Sequence, residues 1–246
     1  MVERVSLVIT SKDRLQALKK FVETIRKHTP YVEMVVVDDN SQDGTREWLI
    51  DQEDIVSIIN YKSVPVDEAN NQGAKKATGR YLWFVNEDME LLDDPIPIMI
   101  DMLRETNAGS IAQKVLLPNG NIQSRGHAFS GVYQIHVPGR DIRKRVDWCP
   151  FPFMRKDVLN KVGGWSVHGQ IYYGDTDLGL TLQKAGYENW YCPEVRIVHN
   201  TLGLDGGGLE EVEKRKHNES VHQQVSRESF MEKWEDRLRN EHDDLF

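Results

Sequence analysis

Apolar and polar residues follow two alternating patterns along the first hundred positions of the chain. Short runs rich in β-branched residues predict buried strands. These runs occupy residues 4–10, 33–37, 55–60 and 80–85. In the segments between them, apolar residues recur at helical spacing, most clearly at Leu15, Leu18, Val22 and Ile25. The alternation predicts an α/β fold in which a mostly parallel sheet is flanked by helices.

The pattern changes after residue 100. Asn119-Gly120 lies between two apolar runs and predicts a hairpin turn. Residues 132–137 predict a further strand, so we expect a small antiparallel extension of the sheet. Short helices are predicted at residues 156–162 and 177–185, each followed by glycine.

The last part of the chain is polar and charged. GLDGGG at residues 203–208 predicts a flexible joint. Beyond it, Phe230, Trp234 and Leu238 share one helical face and require an apolar partner. We therefore expect a helical C-terminal tail that docks on the domain or, as a homodimer contact, on a second subunit.

Composition narrows the functional classes. The 246 residues are 39% hydrophobic, contain no apolar run of the roughly 20 residues that a membrane span needs, and do not begin like a signal peptide. A net charge of −8 argues against nucleic-acid binding. With only Cys149 and Cys192 present, we expect a reducing compartment and a cytoplasmic location, free or peripheral to a membrane.

Polar residues stand at the predicted exits of three parallel strands. They are Thr10, Ser11, Asp38, Asp39, Asn86, Glu87 and Asp88. Ligands of such sheets bind beyond the carboxyl ends of the strands, so we expect these residues to gather along one edge. Each group also has an ordinary interpretation, because residues 38–44 are turn formers and an acidic tripeptide can be a solvated loop. The alternative is a site for a divalent cation, which prefers oxygen ligands.

Three aspartates lie near predicted helix starts, where this residue commonly caps the helix. Asp67 is placed to cap a helix that ends near residue 78, and Asp177 fits the same role. Asp175 follows Tyr172-Tyr173, and partial desolvation there would raise its pKa towards that of a general base. His199, at another strand exit, is placed to complete a metal shell.

The order of the motifs resembles that of the family 2 glycosyltransferases, which have the GT-A, Rossmann-like fold. VSLVITSKDR (5–14) is similar to the family's first strand and nucleotide loop, and VVVDDNSQDGT (35–45) to its second motif. NNQGAKKATGRYLWFVNED (70–88) is similar to its helix, strand and DxD-type metal motif.

Three later motifs extend this resemblance to about residues 4–200. RKDVLNKVGGW (155–165) resembles the helix before the acceptor site. GDTDL (174–178) resembles the acidic motif that carries the catalytic base, and PEVRIVH (193–199) the strand beyond it. We expect a domain over residues 1–202, with a nucleotide-binding half (1–100) and an acceptor half (101–202), followed by the joint and tail (203–246).

The resemblance implies an inverting transfer of a sugar from a nucleoside diphosphate donor, UDP in preference to GDP or dTDP, to a glycan or other hydroxyl acceptor. It implies nucleotide-sugar contacts at Thr10, Ser11, Arg14, Asp38, Asp39, Asn71, Gly73, Asn86 and Glu87. Asp88 and His199 are the expected ligands of Mn²⁺ or Mg²⁺, and Asp175 is the expected base. The expected acceptor-side residues are Trp148, Phe153, Trp165, Tyr173 and Asp177.

The sequence departs from the family pattern at three places. Asn86 is neutral at the first position of the metal motif, Gly174 replaces the glutamate that usually precedes the base, and Pro150-Phe151-Pro152-Phe153 replaces small residues. The first two favour an alternative, a catalytically weak or inactive sugar-nucleotide or glycan-binding module of the same fold. A nucleotidyltransferase or a dinucleotide-dependent oxidoreductase is disfavoured, because TSKDR is neither a Gly-rich basic loop nor GxGxxG.

Overall fold

A computed structural model describes residues 3–130, 132–137, 140–200 and 209–240, with only the backbone at 209–220 and 240. The first half contains β1 (Val5–Ser11), α1 (Leu15–His28), β2 (Glu33–Asp39), α2 (Thr45–Ile50), β3 (Ile55–Asn60), α3 (Val66–Lys76), β4 (Tyr81–Asn86), β5 (Met89–Leu91) and α4 (Ile96–Glu105). The second contains β6 (Ala108–Leu116), β7 (Ile122–Ser124), β8 (His127–Ser130), β9 (Tyr133–His136), β10 (Lys144–Val146), β11 (Phe153–Arg155), α5 (Lys156–Lys161), α6 (Gly174–Lys184), β12 (Glu188–His199) and α7 (Leu209–Asn240).

The central sheet confirms the predicted parallel arrangement. Its strands run in the order β10-β12-β6-β11-β4-β1-β2-β3, and β4, β1, β2 and β3 are mutually parallel. In this register Thr10 lies beside Asn86 and Ser11 beside Asp38. The polar strand exits therefore meet along one edge, as expected. We call the exits of β1, β2 and β4 the strand edge.

Helices cover both faces of the sheet because the strand side chains alternate between two apolar layers. Leu7 and Ile9 pack on one side with Phe21 of α1, whereas Val8 packs on the other side with Ala74 of α3. A Cβ at Gly73 would lie 2.3 Å from a Val8 methyl carbon. Gly73 is thus a close helix–sheet packing position, and it is not among the residues that line the cleft described below.

The antiparallel extension is also confirmed. β6 and β7 form the hairpin predicted from Asn119-Gly120, and β8 pairs with β9 in a separate two-stranded sheet. Phe153, expected on the acceptor side, is instead fully buried between Tyr81 and Trp83. The reason is that β11 inserts between β4 and β6, which leaves Phe151 and Pro152, just before it, at the cleft.

The tail docks on its own domain. Phe230, Trp234 and Leu238 are at most 3% exposed and pack with Phe129, Trp148 and Leu180. Of the two expected partners, the domain therefore occupies this face. The predicted joint, residues 203–208, lies outside the described residues. Within the described part of the chain, no helix is both long and apolar enough to cross a membrane.

Candidate active site

A cleft of about 630 Å³ opens beside the strand edge. Arg14, Asn86, Asp88 and His199 line it together with Asp67, Trp148, Trp165, Tyr173 and Asp175. The first group comes from the strand edge and the end of β12. In the second group, Tyr173 and Asp175 belong to residues 168–177, which run into the first turn of α6, whereas Asp67, Trp148 and Trp165 come from other parts of the chain. We call residues 168–177 the 168–177 segment.

Asp38 and Asp39, at the exit of β2, have different environments. Asp38 is fully buried, and burial raises the pKa of its carboxyl although Ser41 donates to it. Asp39 accepts hydrogen bonds from the Val64 amide at 2.7 Å and from Lys12 Nζ at 3.2 Å. Asp39 therefore closes the loop after β3, and Lys12 is a cation beside it that the sequence reasoning did not assign.

Ser11 and Asn71 further define this region. The hydroxyl of Ser11 is buried and has no hydrogen-bond partner among the described residues. The amide of Asn71 donates to the Trp165 carbonyl and accepts from the Trp165 N–H, both at 2.9 Å. Asn71, expected to contact the nucleotide, is thus occupied in holding the loop before the 168–177 segment against α3.

Asp88 and His199 form a pair at the strand edge. Asp88 Oδ1 lies 3.2 Å from His199 Nε2, while His199 Nδ1 lies 2.9 Å from Gln123 Oε1. If Nδ1 donates to Gln123, Nε2 retains its lone pair, the arrangement that metal-binding histidines use. The Arg14 guanidinium lies 3.6 Å from Asp88 and 3.7 Å from Glu87.

The residues of this pair fit a divalent cation that a ligand helps to hold. Asp88 Oδ1 is buried and has no hydrogen-bond partner in the described residues, and an imidazole nitrogen faces it. The described part of the chain contains no group of three or more His, Cys, Asp or Glu side chains placed around one ion. Two protein ligands suit Mg²⁺ or Mn²⁺ when phosphate oxygens and water complete the shell.

Asp175 lies in the first turn of α6 and lines the cleft. Its Oδ1 accepts a hydrogen bond from the Thr176 N–H at 2.8 Å, which fixes the carboxyl group. Burial raises the pKa of Asp175 to about 6, and the hydrogen bonds from Thr176 oppose that rise. Such a carboxylate is ionised at neutral pH yet more basic than an exposed one, as a general base requires.

Asp177 does not cap α6 and does not line the cleft. The helix begins at Gly174, so the Asp177 N–H bonds to the Tyr173 carbonyl within the first turn. Its buried carboxylate instead accepts from Trp234 Nε1 at 2.6 Å and Lys233 Nζ at 2.8 Å. His168 Nε2 is 2.9 Å away. The expected capping and acceptor-side roles are therefore corrected: Asp177 joins α6 to α7.

The 168–177 segment has an unusual backbone. Tyr172 and Tyr173 both have positive φ, 76° and 66°, a conformation that side chains other than glycine rarely adopt. Contacts with α7 hold it: Ser226 Oγ donates to the Ile171 carbonyl at 2.5 Å, and Tyr173 stacks on Phe230. This packing places Tyr173 and Asp175 at the cleft, as was expected of both.

Comparison with known proteins identifies the family. The sequence model described as "Glycosyl transferase family 2" matches residues 6–163, more than half of the chain. The chain belongs to glycosyl transferase family 2. As a family 2 glycosyltransferase domain it has the motifs, sheet and cleft described above, and transfer of a glycosyl group is the activity of that family.

Curated relatives and a solved structure agree with this family 2 assignment. The chain is 25% identical to the "O-antigen biosynthesis protein RfbC" of Myxococcus xanthus, over 80% of this chain and 17% of that protein. It is 27% identical to the "GalNAc(5)-diNAcBac-PP-undecaprenol beta-1,3-glucosyltransferase" of Campylobacter jejuni, over 52% of this chain and 42% of that one. The chain thus spans less than half the length of these relatives.

A solved structure shows the same fold. The crystal structure of GalNAc-T7 with UDP, GalNAc and Mn²⁺ superposes with a TM-score of 0.70 at 17% identity, over 83% of this chain and 45% of that one. At this identity the likeness establishes the fold alone, and it is the GT-A fold that the sequence resemblance implied.

Besides Lys12, sequence reasoning missed two polar side chains of this family 2 site, Gln123 and Asp67. Gln123, which orients His199, lies on the second strand of a hairpin and carries no motif. Asp67 was expected to cap α3, but the helix begins at Val66 after Pro65, without a side-chain cap. Its carboxyl group turns into the cleft, because the Val66 N–H bonds to the Gln170 carbonyl and brings the start of α3 to the 168–177 segment.

Proposed function

We propose that this domain transfers a sugar from a nucleoside diphosphate donor, UDP in preference to GDP or dTDP, to a hydroxyl acceptor with inversion at the anomeric carbon. Mn²⁺ or Mg²⁺ would be held by Asp88 and His199. The observation that carries the proposal is one cleft lined both by this pair with Arg14 and by the basic carboxylate of Asp175.

The chemistry needs both groups of residues. As the acceptor oxygen bonds to the anomeric carbon, its proton passes to Asp175, and the bond between that carbon and the diphosphate oxygen breaks. The bound cation supplies charge neutralisation for the departing diphosphate. Arg14 adds a fixed positive charge beside Asp88. Asp39 would bind the base or ribose and so hold the nucleoside at the strand edge, whereas Asp38 is fully buried and has no surface to offer a ligand.

The acceptor end of the cleft is aromatic. Trp148 and Trp165 line it with Tyr173, and neither indole Nε1 has a hydrogen-bond partner among the described residues. Aromatic faces with nearby hydrogen-bond donors suit a sugar ring, so we propose a glycan acceptor. The relatives named for O-antigen biosynthesis and for glucosyl transfer to an undecaprenol-linked glycan are consistent with it.

The two cysteines bear on the cellular location of the domain, and the covered face of α7 bears on its assembly. Cys149 and Cys192 are both unpaired and buried, which fits the expected reducing, cytoplasmic setting, free or at a membrane surface. A homodimer through α7 would have to use residues other than Phe230, Trp234 and Leu238, which the domain covers.

The alternative is a glycan- or sugar-nucleotide-binding module without turnover. Gly174 and Asn86 favour it, since each removes a carboxylate from a family motif. The shifted pKa of Asp175 favours the enzyme, because a binding module gains nothing from a desolvated carboxylate at the cleft.

Asp175→Asn separates the two functions. We expect transfer to fall by roughly 10² to 10⁴, the scale of general-base catalysis, while donor and Mn²⁺ affinities stay within a factor of two or so because Asn has nearly the same shape. Asp157→Asn, on the exposed face of α5, is the matched control and should retain full activity. Transfer by Asp175→Asn at the wild-type rate would remove Asp175 as the base. A wild-type protein that binds donor without turnover would favour the binding module.

A further inference from the structure

Asp67 and Gly174 compete for one volume. A Cβ built on Gly174 would lie 1.8 Å from Asp67 Oδ1, 2.4 Å from Cγ and 2.7 Å from Oδ2. All three of these atoms belong to the carboxyl group, so that group fills the space into which any side chain at 174 would extend. The Asp67 carboxyl group and a side chain at position 174 therefore cannot occupy this space at the same time.

The Asp67 carboxyl group is buried but incompletely bonded. The residue is 2% exposed, accepts a hydrogen bond from the His168 backbone N–H, and lines the cleft. Its Oδ2 has no hydrogen-bond partner within the described parts of the chain. A buried oxygen without a hydrogen-bond partner is unfavourable, so this oxygen at the cleft is suited to accept or share a hydrogen bond with a bound ligand.

The charges around Asp67 determine its protonation. Burial, together with the negative charges of Asp175 and Asp177, raises the pKa of Asp67 to about 8, and the His168 N–H opposes this rise only in part. At neutral pH Asp67 is therefore mostly a neutral acid with one O–H donor and acceptor capacity besides. Asp175, with its lower pKa, remains the ionised member of the two.

We infer that Asp67 supplies from α3 the acidic group that position 174 lacks on α6, and that its unpaired oxygen binds a hydroxyl group of the acceptor sugar beside Asp175. Asp67 is then a substrate-binding and positioning residue, and the glycine at 174 is what makes room for it. The inference rests on the proposed function, since it presumes a sugar acceptor in the cleft. It also removes Gly174 as an argument for an inactive module.

Moving the acidic group back to α6 tests this inference. The variants are Asp67→Ala, Gly174→Asp and the double variant, with Glu68→Ala on the exposed face of the same turn as the matched control. We expect Asp67→Ala to raise the acceptor KM about tenfold, the scale of one hydrogen bond, with donor affinity unchanged. Gly174→Asp alone should lower Tm and activity through the clash, and the double variant should regain both stability and a lower acceptor KM.

Each outcome has one meaning. If the wild-type protein shows transfer, an acceptor KM for Asp67→Ala equal to that of Glu68→Ala would overturn the binding role of Asp67. A double variant with a Tm no higher than that of Gly174→Asp would overturn the exchange of space. A wild-type protein without transfer would overturn the proposed function and the role of Asp67 with it. In that case the Tm values of the wild type, the two single variants and the double variant would still show whether positions 67 and 174 share one volume.

Discussion

The strand edge and the 168–177 segment contribute to one cleft but are built in different ways. Along the strand edge, each polar residue immediately follows the strand that positions it, and the parallel register of β4, β1 and β2 brings the exits together. The 168–177 segment takes its shape from α7, where Lys233 and Trp234 reach Asp177 across 56 and 57 residues. One region is a product of local sequence and sheet topology, and the other of long-range packing.

The difference has a functional consequence. The strand edge presents Arg14, Asp39 and Asp88 on a sheet whose core is complete without α7. The 168–177 segment includes two tyrosines with positive φ, and such backbone persists only when surrounding contacts impose it. We therefore expect changes in α7 to disturb Asp175 and the proposed acceptor end of the cleft while leaving the proposed nucleotide end intact.

Of the changes in α7, Trp234→Ala should most strongly separate the behaviour of the 168–177 segment from that of the strand edge. The indole is 3% exposed and donates to Asp177, so its loss should lower the free energy of unfolding by about 3–5 kcal/mol, measured in urea. Hydrogen exchange should accelerate in residues 168–177 and remain slow in β1 and β2. Val225→Ala, at an exposed position of the same helix, is the control. Equal acceleration in β1 and the 168–177 segment would show that the two regions are not separable.

Asp177→Asn should weaken the same region less and in a pH-dependent way. Hydrogen bonds from His168, Lys233 and Trp234 hold the pKa of Asp177 below its usual value of 3.8, against the effect of burial. The folded protein thus binds this proton more weakly than the unfolded chain, so the stabilisation is present above pH 4 and is lost as the pH falls below it.

Urea unfolding of wild type and Asp177→Asn at two pH values measures this effect. We expect a difference of about 1.5–3 kcal/mol at pH 7, the scale of hydrogen bonds to a charged group. The difference should shrink at pH 3.5. A difference that is the same at both pH values would mean that the charge of Asp177 contributes nothing to the docking of α7.

Residue patterns were sufficient to predict the fold and the strand edge, for a physical reason. The spacing of apolar residues that predicts a strand or a helix is visible in consecutive residues. A parallel sheet places the carboxyl ends of its strands on the same side. The positions of Asn86 and Asp38 beside the end of β1 therefore follow from the topology. The contacts of Gly73 with Val8 and of Asn71 with Trp165 were not predicted, because the local motif does not reveal which distant residues pack against it.

The partners of Asp67 and Asp177 could not be predicted in this way. Both aspartates stand near helix starts, where capping is the usual role, and local sequence offers no signal against it. Their roles depend on where the start of α3 and the whole of α7 meet α6, which is decided by packing of Phe230 and Trp234 and by one backbone hydrogen bond from Val66.

Asp39→Ala should have the smallest effect of this series and act at the other end of the cleft. We expect nucleoside diphosphate affinity to fall about tenfold, or about 1.4 kcal/mol, with or without chelator, because this carboxylate would contact the nucleoside and not the metal. Asp51→Ala, exposed at the end of α2, is the control. Calorimetric affinity equal to wild type would leave Asp39 with only its bonds to Ser63, Val64 and Lys12.

The central claim is that Asp88 holds the metal for donor binding, whereas Asp175 acts on the acceptor. Calorimetry of UDP binding to Asp88→Asn and Asp175→Asn, each with Mn²⁺ and with chelator, tests this claim most directly. The account predicts that Asp88→Asn binds UDP equally weakly under both conditions, whereas Asp175→Asn keeps the full Mn²⁺-dependent gain of the wild type. Mn²⁺-dependent UDP binding that is unchanged in Asp88→Asn, or lost in Asp175→Asn, would contradict it.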